Sequence, residues 1–167
     1  GAEFAARVFE GLHAIPPGTS IDLIGQLRFE IGLLDEYAAL PARMADWGVR
    51  HIVFNDHLPH ERLAQGRKPP RLTGQALRAG RSPEAHLAMM QEIHARFDDV
   101  PGALDTLCQQ LQARGVWMGS HDDRSAEDRR NWRARGVVVA EFPETRAAAE
   151  AARAGGDCTI LGAPNLV

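Results

Sequence analysis

Short apolar stretches alternate with longer mixed ones along this chain. Ile21 to Ile31, Arg50 to Asn55, Val116 to Ser120, Val137 to Phe142 and Cys158 to Gly162 are short, rich in apolar residues and poor in polar alternation, and they read as five strands. Between them, Ala-, Leu-, Arg- and Glu-rich stretches at 33–47, 83–97, 100–114, 125–134 and 143–154 have the length and composition of helices. A strand that is apolar on both sides of its pleat is buried on both faces, so the alternation predicts an α/β fold with a parallel sheet lying against helices. The punctuation agrees. Ser82-Pro83 and Phe142-Pro143 place proline at a first helical position, and Gly48, Gly115, Gly136 and Gly155 each follow a helix end. Pro41 interrupts the first helical stretch, which predicts two short helices or a kinked one.

The stretch from His57 to Arg81 breaks this rhythm. It shows no periodicity, holds Pro59, Pro69, Pro70, Gly66, Gly74 and Gly80, and reads as one long basic loop. Its charge is one-sided, with Arg62, Arg67, Lys68, Arg71, Arg78 and Arg81 against Glu61. Such an excess suits an anionic ligand, with Arg67, Lys68 and Arg71 as the expected phosphate clamp; a solvated flexible loop is the plainer alternative. Arg129 and Arg130, by contrast, read as surface positions of the 125–134 helix, without a part in binding.

Length and composition narrow the field further. At 167 residues the chain suits one domain, with 1–20 as an N-terminal extension. A net charge of −3 gives no electrostatic footprint for nucleic acid, and no apolar run approaches the ~18 residues of a membrane span. Cys108 and Cys158 lie in stretches that read as buried helix or strand and form no Cys-x-x-Cys, which argues against a disulfide framework and for a reducing, cytoplasmic setting.

Candidate chemistry collects where strands give way to loops. The first strand ends in Arg28-Phe29-Glu30, the second in Asn55-Asp56-His57, the third in Ser120-His121-Asp122-Asp123 and the fourth in Ala140-Glu141-Phe142. In parallel α/β architectures these ends converge, and a divalent cation needs ligands from more than one strand, so Glu30, His57 and His121 form a candidate metal set. Plainer readings exist for each. Glu30 could pair with Arg28, His57 could cap a turn and His121 could bond a backbone carbonyl. His-Asp-Asp just beyond Val116-Trp117-Met118-Gly119, after Ser120, is harder to dismiss, because charge at that depth is costly unless it binds something. His51 reads as a core or interlayer histidine, His86 and His94 as surface residues, and His60 as a weak chelating partner of His57. Nucleophile-elbow, phosphate-loop, dinucleotide and His-Glu-x-x-His signatures are absent from the sequence.

Three runs in order, Gly119-Ser120-His121-Asp122-Asp123, Val139-Ala140-Glu141-Phe142-Pro143-Glu144-Thr145 and Leu161-Gly162-Ala163-Pro164-Asn165, resemble the signature of the PhnM type of amidohydrolase from bacterial phosphonate breakdown. Leu27-Arg28-Phe29-Glu30 is similar to that family's Leu-Arg-Cys-Glu strand end, and Asn55-Asp56-His57-Leu58-Pro59-His60 to its Asp-His-Thr-Pro-Gly motif, with Leu58 and His60 as departures. The resemblance covers roughly residues 22 to 167. It implies a metal-dependent (β/α)8 barrel that hydrolyses α-D-ribose 1-methylphosphonate 5-triphosphate to the 5-phosphate and pyrophosphate. It also implies Glu30 as a metal-bridging carboxylate, His57 and His121 as ligands of Zn, Mn or Fe, and a phosphorylated small molecule as substrate. Asp122 and Glu141 join Arg67, Lys68 and Arg71 as expected substrate contacts.

The family's opening histidine motif and closing aspartate have no counterpart in this sequence, and five strands stand where such a barrel has eight. The expectation is therefore a partial TIM-like barrel with no assignable catalytic aspartate, which binds metal weakly and substrate without turnover. Asp122, Asp123, His60 and Glu141 are the next candidates for completing the ligand set. An alternative is a catalytically incompetent part-barrel acting as a binding or assembly module. On either reading the open sheet edges favour a homo-oligomer, so sedimentation is expected to show more than an 18 kDa species.

Overall fold

A computed structural model describes residues 2–15, 18 and 22–162, so Ile21 and the Ala163-Pro164-Asn165 run lie outside the described residues. Helix α1 (Ala2–His13) precedes β1 (Gln26–Glu30), a 3-10 turn (Leu34–Glu36) and α2 (Leu40–Asp46). Next come β2 (His51–Asn55), α3 (His60–Ala64), α4 (Leu72–Arg78), α5 (Pro83–Ala95), a 3-10 turn (Phe97–Asp99) and α6 (Val100–Ala113). The chain continues through β3 (Trp117–His121), α7 (Ala126–Ala134), β4 (Val139–Glu141), α8 (Arg146–Ala154) and β5 (Cys158–Ile160).

The five strands form one parallel sheet in the order β1-β2-β3-β4-β5. Crossovers between sequential parallel neighbours are right-handed, and the sheet order is that of a partial TIM-like barrel. Helix α6 packs on the covered face, while α3, α4 and α5 gather around a separate cluster of Leu63, Leu72 and Met90. Phe29, Ile52, Phe54 and Met118 point to the helix side and pack with Leu104, Leu107 and Leu111 of α6. The buried positions of α6, Val100, Leu104, Leu107, Cys108 and Leu111, recur at helical spacing and give it one apolar stripe.

The other side of the sheet is the inner face. Its rows follow from the register: Gln26, His51 and Trp117 at one end, then Arg28, Val53, Gly119 and Val139, then Glu30 and Asn55 beside His121 and Glu141. Arg28 Nη2 donates to Glu141 Oε2 at 2.6 Å, so one ion pair crosses this face from β1 to β4. A Cβ on Gly119 would lie 3.1 Å from the Val53 side chain and 3.2 Å from that of Val139, which explains glycine in the middle of β3. Trp117 is 69% exposed and Cys158 is exposed, so this face has no covering layer at that end among the described residues.

Several expectations are corrected. The first helical stretch is not among them, since it divides as Pro41 predicted, into a 3-10 turn and the short α2, with Pro41 in the first turn of α2. The 57–81 stretch is not a loop, because α3 and α4 occupy much of it and bury Leu63, Leu72 and Ala76. Its spacing of apolar residues is helical, but three prolines and three glycines obscure it. Pro143 does not start α8. Thr145 caps that helix, accepting from Ala148 N at 3.1 Å, as Ser82 and Ser125 cap α5 and α7. The left-handed residue after α8 is Gly156 (φ 75°), while at Gly155 the Arg133 guanidinium occupies the space where a side chain would stand. Cys158 is exposed on the edge strand, unlike the buried Cys108.

His51 sits on the inner face with Nε2 buried and without a hydrogen-bond partner. Burial holds its imidazole below the usual value of 6.5, against an opposing pull from Glu141. The unfolded chain therefore binds the proton more readily than the fold does. The stability that neutral His51 contributes is full above about pH 6.5 and is lost as pH falls below it. Urea midpoints at about pH 7.5 and 5.5 are expected to differ less in His51→Leu than in the natural sequence.

Candidate metal centre

The C-terminal ends of β1, β2, β3 and β4 carry Glu30, His57, His121 and Glu141, and three hydrogen bonds organise them. His57 Nδ1 lies 2.6 Å from Glu30 Oε1, and the His57 backbone N–H donates to Glu30 Oε2 at 3.1 Å. His121 Nδ1 lies 2.9 Å from Glu141 Oε2. An ionised carboxylate only accepts, so both imidazoles carry the proton on Nδ1 and present Nε2 as a lone pair. Carboxylates held against the far nitrogen are the usual support of a metal-binding histidine.

The two rings stand 5.6 Å apart, edge to face, and Asp122 completes the group. One potential ligand atom from each of His57, His121 and Asp122 lies within 4.8 Å of the others. His121 Nε2 is 3.3 Å from Asp122 Oδ2. With the ring proton on Nδ1 alone, that contact sets a lone pair against a carboxylate oxygen, which either a second ring proton on Nε2 or a cation between the two relieves. The donor set therefore fits a cation.

Backbone shape delivers these groups. Asp122 N–H continues the ladder to Glu141 O at 3.0 Å and Phe142 N–H to Ile160 O at 2.8 Å, after which both residues turn left-handed, at φ 58° and 53°. Asp tolerates this region; a bulky Phe there is strained, a state that is held only where the surroundings enforce it. The Phe142 ring sits 5.5 Å from that of His121, edge to face.

Beneath this turn lies a buried polar network. Arg129 is fully buried, and its Nη1 donates to Ser120 Oγ at 2.8 Å, to Asp123 Oδ2 at 3.1 Å and to Val139 O at 3.3 Å. Nη2 donates to Val137 O, and Nε lies 3.0 Å from Asp157 Oδ2 as an ion pair without hydrogen-bond alignment. Burial pushes the Asp123 carboxyl above its ordinary range, opposed by Ser120 and Arg129. Arg129 is thus not the surface residue its helix suggested. Nothing in the local pattern marks it, because its partners come from β3, β4 and the approach to β5.

The structure redistributes the other expected site residues. Glu30 faces the Nδ1 side of His57 and lies outside the three-residue cluster; its partner is not Arg28, which reaches Glu141 instead. Asp122 sits in the cluster, Glu141 is buried behind His121, and Asp123 belongs to the Arg129 network. His60 turns away from His57, with Nε2 3.1 Å from Asp56 Oδ1 and Nδ1 2.9 Å from His94 Nδ1. His94 and His86 are half-buried rather than surface residues. Arg67, Lys68 and Arg71 are exposed between α3 and the first turn of α4.

Two cavities meet at Asp56, His57 and Leu58. One, of about 700 Å3, runs from His121 and Asp122 toward α6 and α7, past Leu104 and Trp132. The other, of about 550 Å3, runs from Glu30 toward α4 and α5. Arg67, Lys68 and Arg71 line neither.

Sequential parallel strands, surrounding helices and a two-histidine, one-aspartate cluster at the strand ends define a partial α/β barrel with a candidate metal centre. Over 63 residues the chain is 38% identical to alpha-D-ribose 1-methylphosphonate 5-triphosphate diphosphatase of Escherichia coli (strain K12). That stretch is 38% of this chain and 17% of the length of that protein, and it supports a distant relationship to its family. No family model and no solved structure matches the chain. Among the described residues, no helix is long and apolar enough to cross a membrane.

Proposed function

We propose that this chain carries part of the metal centre of an amidohydrolase-like phosphoanhydride hydrolase in phosphonate breakdown. The proposed reaction is cleavage of α-D-ribose 1-methylphosphonate 5-triphosphate to the 5-phosphate and pyrophosphate. The observation that carries the reading is the pairing of His57 with Glu30 and of His121 with Glu141, beside a single ligand group formed by His57, His121 and Asp122. Two imidazoles and a carboxylate suit Zn, Mn or Fe. The chemistry such a cation supplies is the lowering of a water pKa toward neutrality and the polarisation of a phosphoryl oxygen. Glu30 and Glu141 fix the ring planes and tautomers, and the Arg129 network fixes the turn that carries Asp122.

Calorimetric titration of the chain with α-D-ribose 1-methylphosphonate 5-triphosphate tests this, with Zn2+ present and with chelator. Binding at least tenfold tighter with metal, and the loss of that gain in His121→Ala, is the expected result. Equal affinity with and without metal would overturn the reading.

A second reading, a binding or assembly module that associates with another copy of itself, is favoured by the bare end of the inner face at Trp117. Edge strands β1 and β5, each with one strand neighbour among the described residues, favour it too. It expects the same substrate affinity in His121→Ala as in the natural sequence.

A further inference from the structure

The two cavities that meet at His57 differ in charge. In the one toward α7, the cations are already engaged: Arg124 Nε with Glu144 at 3.1 Å and Arg135 Nε with Asp105 at 2.6 Å. Asp122, Asp123 and Asp128 line the same space, so it has no free positive charge to offer. In the cavity toward α4 and α5 the situation is reversed. Its acids are engaged, Glu30 by His57 and Asp56 by His60 and by Leu58 N–H, whereas Arg78 and Arg81 have no acidic partner among the described residues.

Two further atoms lie in the same wall without partners. Gln75 Oε1 and His86 Nδ1 are buried and hydrogen-bonded to nothing. Buried polar atoms are nearly always satisfied, so two orphaned atoms on residues of one cavity wall call for partners, which a small turn of either side chain toward the cavity would find in a ligand or ordered water. Rotation of the Gln75 amide would present its –NH2 group, and His86 Nδ1 can carry a proton, so both can act as donors. Two guanidinium groups and two neutral donors around about 550 Å3 match a multiply charged oxyanion, and the volume is within the roughly 300–1,000 Å3 of small-molecule sites.

We infer that this cavity is a polyphosphate subsite, in which Arg78 and Arg81 hold the phosphate chain of a substrate whose reacting phosphoryl group lies at His57. Its assignment to a substrate rests on the function proposed above; the anion site itself rests on the free cations and the orphaned donors. It moves the phosphate clamp from Arg67, Lys68 and Arg71 to two other cations of the same basic segment. Burial explains the change, because Leu72 and Ala76 are the buried positions of α4, Leu72 packing beside Leu63 and Met90, and the end of that helix shares a cavity with Glu30 and His57.

The test uses the full chain and inorganic tripolyphosphate, titrated calorimetrically at low and at moderate salt in the presence of chelator. The expected result is binding that weakens with salt, falls at least tenfold in Arg78→Gln/Arg81→Gln, and stays within twofold in Arg67→Gln/Lys68→Gln/Arg71→Gln. His86→Ala is expected to weaken it as well. Both multiple variants alter exposed residues, and circular dichroism confirms that they fold. Unchanged affinity in the Arg78/Arg81 variant, or an equal or larger loss in the Arg67/Lys68/Arg71 variant, would overturn the inference. Zn2+ binding measured on the same variants separates the two claims. Loss of tripolyphosphate binding in the Arg78/Arg81 variant from a chain that binds no metal would sustain the subsite and sink the metal hydrolase. Metal binding abolished in His121→Ala beside an Arg78/Arg81 variant of full affinity would do the opposite.

Discussion

Replacing Arg129 by alanine is expected to lower the unfolding free energy by about 3–5 kcal/mol, enough to leave much of the chain unfolded at ordinary temperature. The guanidinium is fully buried and bonds Ser120, Asp123 and two strand-end carbonyls, with Asp157 beside it. Removing it leaves the Asp123 carboxylate, 2% exposed, with Ser120 Oγ as its remaining side-chain donor and an Oδ1 that already has no partner, while Asp157 keeps its two bonds from Arg133. That loss of a counter-charge, rather than any net worth of the ion pair, is the source of the large effect. Lysine would not restore the fork that reaches several acceptors at once. Arg130, its exposed neighbour, is expected to change the urea midpoint little when made alanine, so the pair of variants separates burial from charge. Equal midpoints for the two would show that the Arg129 network contributes nothing to stability.

The second large effect concerns the metal site. Glu141→Gln is expected to weaken divalent-metal binding 10- to 100-fold, in the range found for carboxylates that support metal-bound histidines. The Gln side chain can still accept from His121 Nδ1, but it has no charge to raise the basicity of the ring. It also leaves Arg28 without its counter-ion on the inner face. Glu30→Gln is expected to act the same way through His57. This comparison decides between two roles for Glu30. A supporting carboxylate gives a partial loss, whereas a carboxylate that itself holds the metal gives a loss as complete as that of His57→Ala.

These effects mark where the sequence could be read and where it could not. The parallel α/β order, the five strands and most helix limits were legible because burial on both sheet faces and helical spacing leave a local trace, as in Val100, Leu104, Leu107 and Leu111 of α6. His57, His121 and Asp122 were legible because each stands at a strand end, where the topology itself brings residues together. Arg129 and Arg78 were not. Each belongs to a helix whose polar face looks solvated until its neighbours are in place, and their partners or shared cavity walls come from distant segments. Glu30 shows the same limit, since a strand-end carboxylate looks alike in sequence whether it binds a metal or steadies the histidine that does.

The claim on which the rest depends is that His57, His121 and Asp122 together hold one divalent cation. Calorimetric titration with Zn2+ of the metal-free chain, beside His57→Ala, His121→Ala and Asp122→Asn, measures it directly. One ion per chain is expected, removable by dialysis against chelator because the ligand group among the described residues has three members, with loss of that binding in either histidine variant. Stoichiometric binding that survives both histidine changes, or no binding to the natural sequence, would contradict it.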